Sequence, residues 1–197
     1  MREISLIENL SIENFLTMLP PEAREHVSNI RVQKQNGSRP KPSTGLIDKS
    51  KILDSIKRKA LLDKIASLVD ENLCGRSEMC IQFADLLERA LTFLQIPSNA
   101  VIGRAKYYLN GEEVFKWQHA WVQTDSEIID GNLDSTSENP FIPENLKLKP
   151  YWGPITDTPN DRKFEADGSA LPREDDVAKI WWPELQTWIK ENFQPSN

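Results

Sequence analysis

Cys80 is the first candidate for a nucleophile in this chain of 197 residues, which contains only two cysteines. Ser77 is predicted to cap a helix that runs to about Leu94, because serine hydroxyls accept hydrogen bonds from the free N–H groups of a helix start. Cys80 would then lie in the first turn, where the helix dipole favours a thiolate. A cysteine on an apolar helix face is more often an ordinary core residue. Catalysis at Cys80 therefore requires a base close to the thiol.

His119 is the candidate base, and Asp130 is the group expected to orient it. His119 lies in a predicted strand that is followed by a turn at residues 124–125 and by a second strand, Glu127 to Asp130. A turn at that place puts His119 directly opposite Asp130 on one face of the antiparallel pair. The carboxylate would hold one imidazole nitrogen while the other meets the thiol, as a Cys-His-Asp triad requires. Asp134 is the alternative partner of His119 if the turn has another length.

The elements around these residues predict an α+β fold. In chain order they are a helical stretch (1–30) broken at Pro20-Pro21, an exposed linker (33–45), an amphipathic helix (48–69), the cysteine helix (77–94), three strands (99–109, 114–123 and 127–130), a long loop (131–174) and a Trp-rich helix (175–193). Asn110-Gly111, between the first two strands, is a strong hairpin signal. Segregated helices and strands are typical of α+β proteins. Residues 1–47 are predicted to form a helical segment with a flexible loop, and residues 48–197 the domain.

Five segments carry a resemblance to a known superfamily. They are Glu78–Leu87, Leu94–Pro97, Val101–Gly103, His119–Val122 and Ile129–Asp130. They resemble the core of the transglutaminase-like (papain-related) cysteine enzymes, which present a cysteine opening a helix, a helix end of the Leu-Gly-Ile-Pro type, a strand running to a glycine, a His-Ala-Trp strand and an aspartate on the next strand. The resemblance implies a divergent member with a papain-like core. It also implies a central Cys-bearing helix packed on an antiparallel β-sheet, extra N- and C-terminal helices, and catalytic Cys80, His119 and Asp130.

The chain departs from that family in the approach to the cysteine. The family often has a glycine-rich approach and an upstream glutamine or aromatic residue that helps to build the oxyanion hole, whereas this chain has Cys-Gly-Arg-Ser-Glu-Met at residues 74–79. The backbone N–H of Cys80 is the first candidate for an oxyanion donor, and Gln118 is the candidate for the second. Trp121, near His119, and Trp152, in the long loop, are predicted to line the cleft and contact substrate.

The predicted activity is that of a thiol-dependent hydrolase or acyltransferase that acts on a peptide or a glutamine-type carboxamide. Attack by Cys80 gives an acyl-enzyme, and the acceptor decides between hydrolysis, deamidation and acyl transfer. Two alternatives stay open. One is an inactive transglutaminase-like binding module. The other is an arylamine-type N-acetyltransferase, which uses the same residue types but has an Arg-Gly-Gly approach to its cysteine that this chain lacks.

Composition argues against several other classes of function. The net charge of −6 and the pI of about 5.1 argue against nucleic-acid binding, which needs clustered Lys and Arg. No apolar run is long enough to span a membrane, and acidic residues interrupt the N-terminal stretch, so no signal peptide is predicted. The low cysteine count favours a reduced, cytoplasmic protein. No metal site or cofactor is predicted, and the expected partner is a peptide or protein substrate.

Overall fold

The computed structural model describes residues 16–70, 75–139, 142–143 and 145–193. The predicted helical stretch before residue 16, and Cys74, lie outside these ranges. The helices are α1 (Pro21–Gln35), α2 (Pro42–Gly45), α3 (Ser55–Val69), α4 (Cys80–Phe93) and α5 (Trp182–Asn192), with 3-10 helices at Leu133–Glu138 and Ile155–Asp157 and a π-helical turn at Val177–Trp181. No helix in the described ranges has the length and apolar character needed to cross a membrane.

Six strands form one mixed sheet. They are β1 (Ile47–Asp48), β2 (Asn99–Leu109), β3 (Glu112–Gln123), β4 (Glu127–Asp130), β5 (Tyr151–Pro154) and β6 (Arg162–Ala166). Their order in the sheet is β1-β5-β4-β3-β2-β6. All neighbours are antiparallel except β1 and β5, which run parallel. The fold is therefore α+β as predicted, while the wholly antiparallel sheet is corrected at the edge where β1 joins.

The hairpin of β2 and β3 contains the two longest strands of the sheet. Asn110 has φ 54° and Gly111 has φ 87°, and positive φ at both positions is what a two-residue type I′ turn requires. The register of the two strands puts His119 opposite Gly103. The hairpin predicted at Asn110-Gly111 is confirmed, and it presents His119 near the end of β3 that lies beside β4.

Helices α3, α4 and α5 cover one face of the sheet. The core between them includes the buried side chains of Leu62, Ile65, Phe83, Leu87, Ala120, Val122, Ile129, Trp152 and Leu185. Val122 and Ile129 are paired across β3 and β4. The alternate residues of these strands, Trp121 and Ile128, pack together on the other face with Tyr151. Because side chains alternate along a strand, His119 and Asp130 belong to this second face.

Two predicted loops are structured. Residues 131–174 contain β5 and β6, each only four or five residues long, and such short strands among prolines leave little periodicity in the sequence. Residues 33–45 are tied to the domain, because Arg39 forms ion pairs with Asp70 (2.6 Å) and Glu138 (2.7 Å). The predicted Trp-rich C-terminal helix is confirmed, and Pro183 lies in the first turn of α5, where proline is tolerated.

Candidate active site

Cys80 is the first residue of α4. The N-cap is Met79, with no side-chain cap, so the predicted cap at Ser77 is wrong. The first helical bond of this turn runs from the Phe83 N–H to the Met79 carbonyl (2.9 Å). The N–H groups of residues 80–82 therefore have no partner within the helix. Cys80 is a free, partly buried thiol at the helix start, beside backbone N–H groups that are available to donate to an anion.

His119 and Asp130 form a buried pair. His119 Nε2 lies 3.0 Å from Asp130 Oδ2, and each residue is 2% exposed. The predicted register is wrong by two residues: β3 and β4 pair Val122 with Ile129, so Asp130 is a diagonal neighbour of His119. A shift of two residues keeps both side chains on the same face, and a diagonal neighbour is still within reach.

The His119 imidazole also faces Cys80. Burial lowers the pKa of His119, but the charge and hydrogen bond of Asp130 and the nearby Cys80 thiol outweigh it and raise the pKa from 6.5 to about 10. Since Asp130 engages Nε2, Nδ1 is the nitrogen left for Cys80. Nδ1 is buried and has no hydrogen-bond partner among the described residues. This arrangement favours a protonated imidazole beside the thiol.

Aromatic rings enclose the imidazole. Trp117 stacks on His119, with ring centroids 5.6 Å apart and an interplanar angle of 13°. Phe164 lies 6.4 Å from His119 at 22°, and 5.0 Å from Trp121. Trp121 is 2% exposed, and its indole Nε1 is buried with no hydrogen-bond partner among the described residues. Together the rings exclude water from the His119–Asp130 pair, which strengthens the attraction between the two charges.

Tyr107 is a buried group near the pair that the sequence did not point to. It is 0% exposed, and its hydroxyl accepts a hydrogen bond from Trp117 Nε1 at 3.4 Å. Burial, together with the negative charge of Asp130, raises the pKa of Tyr107 well above its usual value of 10. Tyr107 therefore stays neutral, and the carboxylate that pairs with His119 is that of Asp130.

Two of the predicted substrate-binding residues lie away from the His119 imidazole. Gln118 is exposed, and strand alternation puts its side chain on the face of the sheet opposite His119, which is the face that α4 covers; its role as the second oxyanion donor stays a prediction. Trp152 is 0% exposed, and its Nε1 donates to Glu127 Oε2 at 3.1 Å. The segment expected to be a loop is strand β5, which buries Trp152 in the core. Asp134, the alternative partner of His119, instead pairs with Arg76.

The start of α4 and the end of β4 are packed tightly together. A Cβ atom at Gly131 would lie 2.7 Å from the Phe83 ring and 2.7 Å from Leu62, closer than side-chain contacts allow. Phe83 lies one turn after Cys80, and Gly131 directly follows Asp130. The missing side chain at Gly131 therefore lets the strand that carries Asp130 approach the helix that carries Cys80.

Comparisons with protein-family models, with curated proteins and with solved structures find no match. Among the residues that the structure describes, no group of three or more His, Cys, Asp or Glu side chains is placed to hold a metal ion.

Proposed function

We propose that the chain is a thiol-dependent enzyme of the transglutaminase-like (papain-related) kind, which acts on an amide through an acyl-enzyme at Cys80. The observation that carries the proposal is the position of His119, a buried imidazole that is hydrogen-bonded to Asp130 and lies close enough to the Cys80 thiol for the thiol to help raise its pKa. The support for a papain-like core is the packing of α4, which begins with the cysteine, against strands β2 and β3 of the sheet.

The first half of the reaction forms a thioester. The thiolate of Cys80 attacks the carbonyl carbon of the amide, and the C–S bond forms as the carbonyl π electrons move to oxygen. The resulting oxyanion is stabilised by N–H groups at the start of α4, with that of Cys80 as the nearest donor. When the carbonyl re-forms, the C–N bond breaks, and the leaving amine takes the proton of the His119 imidazolium.

The second half releases the acyl group. Neutral His119 takes a proton from the acceptor, which attacks the thioester carbonyl, and the Cys80 thiolate leaves as the C–S bond breaks. Water as acceptor gives a peptidase, amidase or deamidase, and an amine gives an acyltransferase. Asp130 stabilises the imidazolium in both halves without itself taking the proton. The proposed substrate is a peptide or protein amide.

Acylation by an activated ester tests this proposal. We expect 4-nitrophenyl acetate to give a burst of nitrophenolate, and intact-mass spectrometry to find one acetyl group on Cys80. His119→Ala should lose the burst, whereas Glu127→Gln should keep it, because Glu127 binds Ser50 and Trp152 and not the His119–Asp130 pair. Acetylation of Cys80 no faster than that of the unfolded chain would contradict the proposal and favour an inactive binding module.

A further inference from the structure

Arg76 is a charged residue buried completely in the segment that leads into Cys80. Its exposed fraction is 0%. It follows Gly75, which has φ +79° and whose Cβ, if present, would lie 2.5 Å from Glu138 Oε2. The chain therefore makes a glycine-dependent turn that places the arginine inside the protein. A buried guanidinium costs free energy unless it is fully paired, so its partners show what it holds together.

The guanidinium reaches two separate parts of the chain. Arg76 Nη1 donates to Asn132 Oδ1 (3.0 Å) and to Asp134 Oδ1 (2.9 Å), and Nη2 donates to Asp134 Oδ2. Nη2 also donates to the Pro40 carbonyl at 2.9 Å. Both nitrogens thus bind Asp134 in the bidentate manner that gives Arg–carboxylate pairs their fixed geometry.

The backbone of Arg76 is bound by the same segment. Its carbonyl accepts from Asn132 Nδ2 (2.9 Å) and from Ser135 Oγ (3.3 Å), and its N–H donates to Glu138 Oε2 (3.3 Å). The same carbonyl accepts the N–H of Met79 at 3.1 Å, which closes the turn just before α4. Arg76 is therefore joined on one side to the residue before Cys80.

We propose that Arg76 is a positioning residue, which holds the Cys80 thiol against His119 by joining the start of α4 to the segment that follows Asp130. This inference rests on the function proposed above. Asn132 and Asp134 come directly after the strand that carries Asp130, and Met79 comes directly before the thiol. The two halves of the candidate triad are thus connected through one guanidinium and one peptide carbonyl.

A purely stabilising role makes a different prediction. Removal of one partner of a buried ion pair lowers stability, because the other charge is left unpaired in the interior. A residue that only stabilises would change the unfolding free energy and leave the reactivity of the folded protein unaltered. A positioning residue changes the contact between thiol and imidazole, and so alters the thiolate population at low pH.

The test compares iodoacetamide alkylation of Cys80 at pH 6 and pH 9.5 in the full chain. In the wild type, we expect substantial reaction at pH 6. In Arg76→Met, the ratio of the pH 6 rate to the pH 9.5 rate should fall about ten- to hundred-fold, because a thiol displaced from the imidazolium loses part of the attraction that holds it as a thiolate at low pH. Arg58→Met is the matched control, because Arg58 is 5% exposed and pairs with Asp48 instead of with the segments next to Cys80 and Asp130. It should lower stability and keep the wild-type ratio.

Asp134→Asn serves as a second variant, since it leaves the bonds of Arg76 to Asn132 and Pro40 in place. Its ratio should fall by less than that of Arg76→Met, and it decides the question if Arg76→Met does not fold. If Arg76→Met folds and its ratio equals that of the wild type, the positioning role is overturned while the proposed function stands. If Arg76→Met does not fold, an unchanged ratio in Asp134→Asn overturns the positioning role in the same way. A wild type that does not react at pH 6 would overturn the proposed function itself.

Discussion

Replacement of Asp130 by asparagine isolates the charge that holds His119 protonated. Asp130 Oδ2 lies 3.0 Å from His119 Nε2, and both side chains are 1% exposed. Asparagine keeps the size of the side chain and removes its negative charge. The imidazolium would then face the cost of burial with Cys80 as its remaining acidic partner, and the thiolate at Cys80 would lose part of its counter-ion.

The size of the effect follows from the pKa of His119. Burial lowers this pKa, while Asp130 and then Cys80 raise it, with a net rise from 6.5 to about 10. A rise of that size corresponds to roughly 5 kcal/mol in favour of the imidazolium. Asp130 is the larger of the two favourable partners, and its negative charge contributes about 2 to 3 kcal/mol, in line with a hydrogen bond to a charged group. The pKa of His119 should therefore fall by roughly 1.5 to 2 in Asp130→Asn, so that the imidazolium persists at pH 6 but loses its proton at a clearly lower pH than in the wild type.

The assay is an NMR titration of the His119 imidazole between pH 5 and pH 11. Glu127→Gln is the matched control, because Glu127 is also a buried carboxylate of β4 but binds Ser50 (2.6 Å) and Trp152 (3.1 Å). It should cost stability without changing the titration of His119. Equal titration midpoints of His119 in Asp130→Asn and wild type would refute the role of Asp130.

Three further outcomes are expected. The raised pKa of His119 stabilises the folded chain fully below pH 6.5, and this contribution is lost as the pH rises through about 10. The difference in urea-unfolding free energy between wild type and His119→Asn should therefore shrink across that interval, and a constant difference would speak against the raised pKa. Gly131→Ala should lower the unfolding free energy by about 1 to 3 kcal/mol, because the added methyl group overpacks against Phe83. Gly45→Ala, whose added Cβ would have its nearest neighbour at 3.8 Å, should change the melting temperature little. Similar changes in both variants would contradict the tight packing at Gly131. Trp152→Phe should lower the unfolding free energy by about 1 to 3 kcal/mol, because Glu127 loses a buried hydrogen-bond donor. It should leave the alkylation of Cys80 unchanged, and altered alkylation would indicate that Trp152 acts at the site.

The sequence predicted those parts of the site that depend on local signals. Asn110-Gly111 determines a tight hairpin between β2 and β3, and the turn predicted at residues 124–125 brings β4 back beside β3, so His119 and Asp130 could be placed near each other from local signals. The pairing of His119 with Asp130 survived an error of two residues in the register, because such a shift preserves the face. A one-residue error would have removed Asp130 from the same face as His119.

Long-range contacts lay beyond the sequence pattern. Nothing in the local sequence around Arg76 indicates that it binds Asn132 and Asp134, since the partners are 56 and 58 residues away. Trp152 looked like a loop residue because the surrounding prolines and glycine hide a four-residue strand. Its burial becomes evident only when β5 pairs with β4 and with β1.

The central claim is that Cys80 and His119 form a thiolate–imidazolium pair. The direct test is iodoacetamide alkylation of the wild type and His119→Ala from pH 4 to pH 9, with the modified cysteine, Cys80 or Cys74, mapped by mass spectrometry. We expect Cys80 to react well below the midpoint of about pH 8.5 that an ordinary thiol shows, and His119→Ala to lose that low-pH reaction. A wild-type Cys80 that is inert, or that reacts only with the midpoint of an ordinary thiol, would contradict the pair.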